Sequence, residues 1–174
     1  QNLKQAVEAR LRRLMERNPL RTDLQLHYEQ IVAEYNREKD RVTIEHTFEA
    51  LFRFEQGLDE EERRAVREGL DEESLAIFDL LRKPDLSTKE IKRIKQVAVE
   101  LLQTLKRKIS EIDHWRDRET TRDTVMVEIH NFLYSDTTGL PEVFYTEEDV
   151  QAKTDEVFHH IYRVYPTIPS PFYA

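Results

Sequence analysis

Few residues in this chain have both the type and the spacing to do chemistry. Pro84-Asp85 followed by Glu90-Ile91-Lys92 spells P-D-x4-E-x-K, a nuclease letter pattern in which acidic residues hold Mg2+ beside a lysine. Such residues normally stand on neighbouring strands across a longer gap. Here Glu90 is also the fourth residue of Ser87-Thr88-Lys89-Glu90, an S-x-x-E capping box that opens a helix, so the pattern reads as a helix start. His159-His160 beside Asp155 and Glu156 suggests a metal, but adjacent histidines on a helix point about 100° apart and do not converge on one ion. Glu156 and His159 lie one turn apart, which allows a carboxylate–imidazole pair. There is no G-x-S-x-G, no cysteine for a Cys-His pair and, with three scattered glycines, no Gly-rich phosphate loop. The expectation is a chain with no catalytic, cofactor-binding or metal-binding residue.

Charge is the more informative signal. Between Ser87 and Ile112 seven basic residues face three acidic ones, and Arg116, Arg118 and Arg122 continue the trend. Between Asp59 and Glu73 eight acids face three arginines. The bland reading is a set of solvated helix faces with i,i+4 pairs. The sharper one is a basic face that meets phosphate or an acidic partner, with Lys92, Lys95, Lys106, Arg107 and Lys108 as the candidate contacts to duplex DNA. Few aromatics interleave with these residues, which argues against a platform for stacking single-stranded bases. The net charge of -8 argues against wrapping nucleic acid with the whole surface.

The elements that must position these residues are helices. The chain has 174 residues, 36% of them charged and only three of them glycine, a mix that favours an all-α fold of amphipathic helices. A domain of this size hides about two-thirds of the surface of its unfolded chain. Absent cysteines fit a cytoplasmic protein. No apolar run of membrane length occurs, so no membrane partner is expected. The start, Gln1-Asn2-Leu3-Lys4, lacks a signal peptide's apolar stretch and suggests a piece of a longer polypeptide.

The strongest periodicity spans Ser87 to Ile112, with Ile91, Ile94, Ala98, Leu101, Leu105 and Ile112 three or four residues apart save for one skipped position, and Val97, Leu102 and Ile109 broadening the face. It predicts a long central helix. Before it come a helix over about Leu3–Arg17, ended by Asn18-Pro19, and one opened by a capping box at Thr22 and running to about Lys39. A third starts at Thr43, with Ile44, Phe48, Leu51, Phe52 and Leu58 inward, Phe54 off the stripe and Gly57 near its end or at a bend. A short acidic helix over 59–68 follows, with Gly69 as its C-cap, and then a helix capped by Asp71 and stopped by Pro84. After the long helix come one over about 120–134, a loop over 135–145, and a last helix started by Thr146. The expectation is a single compact domain of about seven or eight helices, with an extended proline-rich tail. Residues 1–17 form a helix that could end a preceding region, 18–166 the helical domain and 167–174 the tail.

Read in order, the chain resembles the helical C-terminal domain of the R (restriction, or motor) subunit of type I restriction enzymes. The resemblance covers about residues 18–166. It rests on Asn18-Pro19-Leu20, then Tyr28-Glu29-x-Ile31-x-x-x-Tyr35-Asn36, then Thr43-Ile44-Glu45-x-Thr47-Phe48-Glu49-Ala50-Leu51. Leu75-Ala76-Ile77-Phe78-Asp79-Leu80-Leu81 follows, then Trp115-Arg116 leading into Thr121-Arg122, then Ile129-His130-x-Phe132-Leu133. The loop from Leu140-Pro141 to Tyr145 precedes the last phrase, Val157-Phe158-x-His160-Ile161-Tyr162. No single phrase is diagnostic; the ordered set across the chain is fairly specific.

The resemblance implies a parent subunit that couples ATP-driven DNA translocation to DNA cleavage, using ATP and Mg2+, with nuclease and motor domains preceding this region in the same polypeptide. It implies that this region helps attach the subunit to the methyltransferase core of M and S subunits. None of the family's catalytic residues has a counterpart here. The first expectation is therefore a non-catalytic assembly module, with Trp115, Arg116, Arg118 and Arg122 as the candidate partner-binding patch. Tryptophan is equally at home filling a corner of a core. The second is a helical module that contacts duplex DNA non-specifically. A small independent enzyme is the third, and the absent motifs argue against it.

Overall fold

A computed structural model of the chain describes residues 2–18, 21–37 and 41–165, with Val42 by its backbone alone. Among these residues lie seven α-helices and no strand: α1 (Leu3–Arg17), α2 (Thr22–Arg37), α3 (Arg41–Glu68), α4 (Glu72–Leu81), α5 (Thr88–Ser110), α6 (Glu119–Tyr134) and α7 (Glu147–Val164). The all-α expectation holds. The helices gather into two compact units, Gln1–Ala76 and Ile77–Ala174, and the boundary falls inside α4. The extended tail expected over 167–174 and the expected end of α2 at Lys39 lie outside the described residues.

In the first unit α1 and α2 pack on α3 and on each other. Helix α1 starts where Asn2 accepts the Lys4 amide with its side chain, and it buries Val7, Leu11 and Leu14, spaced four and three residues apart. It stops at Asn18, whose φ of -142° and ψ of 92° are the extended values imposed on a residue that precedes proline. Helix α3 corrects the sequence reading. It runs unbroken for 28 residues through Gly57, which is exposed and has nothing within reach of an added Cβ. A mid-helix glycine costs about 1 kcal/mol relative to alanine. Burial of Leu51, Phe54 and Leu58 around it, at roughly 1.5–3 kcal/mol for each large side chain, outweighs that cost. Phe54, expected off the stripe, is in the core against the rings of His27 and Tyr28. Ile44, Phe48 and Phe52, expected inside, are 46%, 60% and 50% exposed.

Gly69 ends α3 as expected. With φ at +71° it lets the Gly69 amide reach the Val66 carbonyl (3.1 Å) and the Leu70 amide the Ala65 carbonyl (2.9 Å), a Schellman ending. Asp71 then accepts the Ser74 amide (2.7 Å) at the start of α4.

In the second unit α5 packs on α6 and α6 on α7. The inward stripe of α5 is Ile94, Val97, Ala98, Leu101, Leu102, Leu105 and Ile109, all on the face the periodicity predicts, while Ile91 is only half-buried and Ile112 lies past the end of the helix. Its cap differs from the expectation. Ser87 occupies the N-cap position with extended backbone but makes no side-chain cap hydrogen bond, so the S-x-x-E box does not close. The box that does close is at α7. There the Thr146 hydroxyl accepts the Asp149 amide (3.1 Å) and the Asp149 carboxylate accepts the Thr146 amide (2.9 Å). The stretch over 135–145 is a loop, as predicted.

Candidate docking surfaces

The turn after α5 carries the chain's single tryptophan, and the structure places it inside. Trp115 is 1% exposed, edge-on to the rings of Phe158 and Tyr162, with its Nε1–H donating to the Tyr165 carbonyl (2.9 Å). Of the expected patch, then, the intended aromatic anchor belongs to the core and a partner cannot reach it. Arg116 is half-buried, lies over the Tyr162 ring and donates to the Tyr162 carbonyl (2.8 Å). Arg122 donates to the Arg116 carbonyl (2.7 Å). Both guanidiniums fasten the turn to its surroundings. Arg118 is exposed at the N-cap of α6.

The five candidate DNA contacts do not share one face. At about 100° per residue, Lys92, Lys95 and Lys106 fall within roughly 60° of one another around α5. Arg107 lies on the outer side and Lys108 at the opposite edge of the buried stripe. The Lys95 ammonium lies 5.8 Å from the centre of the Phe78 ring and that of Lys106 lies 5.7 Å from the centre of the Tyr165 ring.

The residues of the nuclease-like pattern fall on a turn and on the start of the helix that follows it, not on neighbouring strands. Asp85 sits in an exposed turn with φ at +66°, and Glu90 is in the first turn of α5. Among the described residues no three His, Cys, Asp or Glu side chains are arranged to hold a metal. The two histidines part as helical geometry requires. His159 is exposed, while His160 is buried with its Nδ1 lacking a hydrogen-bond partner among the described residues. Burial pushes the His160 imidazole down to about 4, and the Arg163 charge adds to the effect. Glu156 pairs with Lys153 (3.4 Å).

Two surfaces escaped the sequence reading. On α3, Ile44, Phe48 and Phe52 recur every fourth residue and form an exposed apolar stripe. It borders a groove of about 220 Å3 whose wall includes Val32 and the partly exposed Tyr35 of α2. The signal was present, because α3 carries two overlapping apolar rows, but either could have been the buried one. The second surface lies where α6 hands over to α7. Tyr134, Val143 and Phe144 are 51%, 88% and 40% exposed beside a cleft floored by Leu133, Leu140 and Val150. Here the signal was weak, since two exposed apolar residues in a loop show no period.

Comparison with known proteins adds one finding. The family model described as "Type I restriction enzyme HindI endonuclease subunit-like, C-terminal" matches residues 1–166. No curated protein and no solved structure matches the chain.

Proposed function

The chain belongs to the family of C-terminal regions of HindI-like type I restriction enzyme endonuclease subunits, and on that premise we propose that it is a non-catalytic assembly module. In this reading it docks the motor subunit on the methyltransferase core of M and S subunits, while preceding domains of the same polypeptide translocate and cleave DNA with ATP and Mg2+. The parent complex works in the cytoplasm, where its DNA is. The observation that carries the reading is the Ile44–Phe48–Phe52 stripe. Three large apolar side chains about half exposed at helical spacing form the kind of patch that marks a protein–protein contact rather than a scattered surface residue. Phe48→Glu with Phe52→Glu in the full endonuclease subunit should abolish its co-elution with the methyltransferase core while leaving helicity intact. Co-elution undiminished by both charges would sink the reading.

The shared face of Lys92, Lys95 and Lys106 supports a second reading, in which α5 contacts duplex DNA without reading its sequence. Binding would then weaken steeply with salt and be indifferent to base sequence. Lys92→Gln with Lys106→Gln would lower the salt slope by about two, one for each phosphate no longer neutralised. An unchanged slope would remove this reading.

A further inference from the structure

The cleft between the end of α6 and the first turn of α7 has an apolar base, an acidic rim and a fixed shape. Leu133, Leu140 and Val150 are buried at the base, and the cleft encloses about 240 Å3. From Tyr134 to Asp149 the sequence has five carboxylates and no lysine or arginine, and Glu142 and Glu147 line the opening beside Tyr134. Of the five, Asp149 is neutralised by Lys83, whereas Asp136, Glu142, Glu147 and Glu148 are exposed. The Tyr134 hydroxyl donates to Glu147 (3.2 Å), and that carboxylate, with Glu142 and Asp136 contributing, holds it protonated above the usual tyrosine range. Val143 and Phe144 project from the adjoining turn into solvent.

The shape is set before anything binds. Arg93 donates to the carbonyls of Thr137 (2.9 Å) and Gly139 (3.1 Å). The Tyr145 hydroxyl donates to the Leu81 carbonyl (2.7 Å), and Lys83 donates to the Phe144 carbonyl (2.9 Å). These bonds tie the loop to α5 and to the end of α4, so little conformational freedom is lost on docking. Flexible loops do not ordinarily keep a residue as apolar and exposed as Val143 on a fixed turn without a use for it.

We propose that this cleft receives a segment of the methyltransferase core that presents an arginine or lysine flanked by apolar side chains. The charged head lies between Glu142 and Glu147, its methylenes run along Tyr134 and the apolar floor, and the flanking side chains cover Val143 and Phe144. The exposed carboxylates repel a nucleic-acid backbone from the same place. The proposal rests on the assembly reading for the identity of the partner, and names a contact distinct from the α3 stripe.

The test is calorimetric titration of the full endonuclease subunit into the methyltransferase core, with three proteins: wild type, Glu142→Gln with Glu147→Gln, and Glu142→Lys with Glu147→Lys. Charge reversal should weaken binding by about tenfold or more, the neutral pair by less, and the neutral pair should flatten the salt dependence of the affinity. The glutamine pair should unfold close to the wild type, because both glutamates are exposed, whereas Glu147→Lys puts a cation in the first turn of α7 and removes the acceptor of the Tyr134 hydroxyl, so the reversed protein should melt somewhat lower. If reversal does alter folding, the near-isosteric glutamine pair decides alone. Equal affinities for all three proteins would overturn the cleft contact and leave the assembly reading standing. Failure of the wild type itself to bind the core would overturn both.

Discussion

The indole of Trp115 and the main-chain carbonyl of Tyr165 are joined by a 2.9 Å hydrogen bond that bridges fifty residues of sequence. It ties the turn after α5 to the end of α7, and the Phe158 and Tyr162 rings close around the indole. Trp115→Phe keeps most of the packing but leaves the Tyr165 carbonyl without this donor, at about 1–3 kcal/mol. Trp115→Ala also opens a cavity and should cost about 3–5 kcal/mol. Urea unfolding followed by circular dichroism checks both, and a Trp115→Ala chain as stable as wild type would contradict the packing described.

Arg21 makes the corresponding tie in the first unit. It is 3% exposed, with Nε donating to Glu61 (2.8 Å), one terminal nitrogen to Glu72 (3.0 Å) and the other to the Leu14 carbonyl near the end of α1 (3.2 Å). One planar group thus satisfies α1, α3 and α4 together. Removing one partner of a buried ion pair is costly, so Arg21→Met should destabilise the unit by about 2–4 kcal/mol. Arg21→Lys should restore little of it, because an ammonium cannot reproduce the fork. Full rescue by lysine in denaturant unfolding would show that charge alone matters there.

These two ties show where the sequence was legible. Spacing sufficed for the inward stripe of α5 and the stop at Asn18, since both depend on local geometry alone. It failed on α3, where a row at 44, 48 and 52 competes with one at 51, 54 and 58, and only packing against Tyr28 and His27 selects the second. It failed at the Ser87 cap, because S-x-x-E is as good a local pattern as T-x-x-D, and of the two only Thr146 with Asp149 closes the box. In a chain with 36% charged residues nothing local marks Arg21 as the buried arginine. The burial of Trp115 was missed for the same reason. Trp115 beside arginines looks like an anchor until α7 is seen to cover it, and the exposed stripe looks like core until a better core displaces it.

Gly139 is required by space rather than by a left-handed backbone. An added Cβ would collide with the carbonyl oxygens of Leu133 and Ser135, both backbone atoms that cannot swing aside. These carbonyls also accept the Leu140 amide (2.9 Å) and the Gly139 amide (2.8 Å). Gly139→Ala should therefore disrupt the turn that follows α6 and cost about 1–3 kcal/mol, a strain comparable to overpacking a core. Gly57→Ala makes the opposite control. With open space around it in mid-helix, it should stabilise α3 by about 0.5–1 kcal/mol. Melting temperatures of the two variants should move in opposite directions, and a shift of the same sign would refute the distinction.

His160 gives the second unit a pH dependence whose sign is fixed by burial. Folded, its imidazole is held down to about 4 from an ordinary value of 6.5, chiefly by desolvation and secondarily by Arg163. Between those values the unfolded chain binds a proton that the folded chain does not. Stability therefore rises with pH across that window, and is lost as pH falls from 6.5 towards 4. The shift corresponds to about 3 kcal/mol at the acid end. Carboxylates titrate over part of the same range, so the informative quantity is the difference between wild type and His160→Leu. Leucine cannot take the proton, and its chain should lose less stability on acidification, with the two curves converging or crossing as pH drops. Guanidinium unfolding read by Trp115 fluorescence at several pH values would show this, because the buried indole reports on the unit that holds the histidine. A wild-type-minus-variant difference independent of pH would mean that the His160 imidazole binds its proton equally well in the folded and unfolded chains, contrary to its burial.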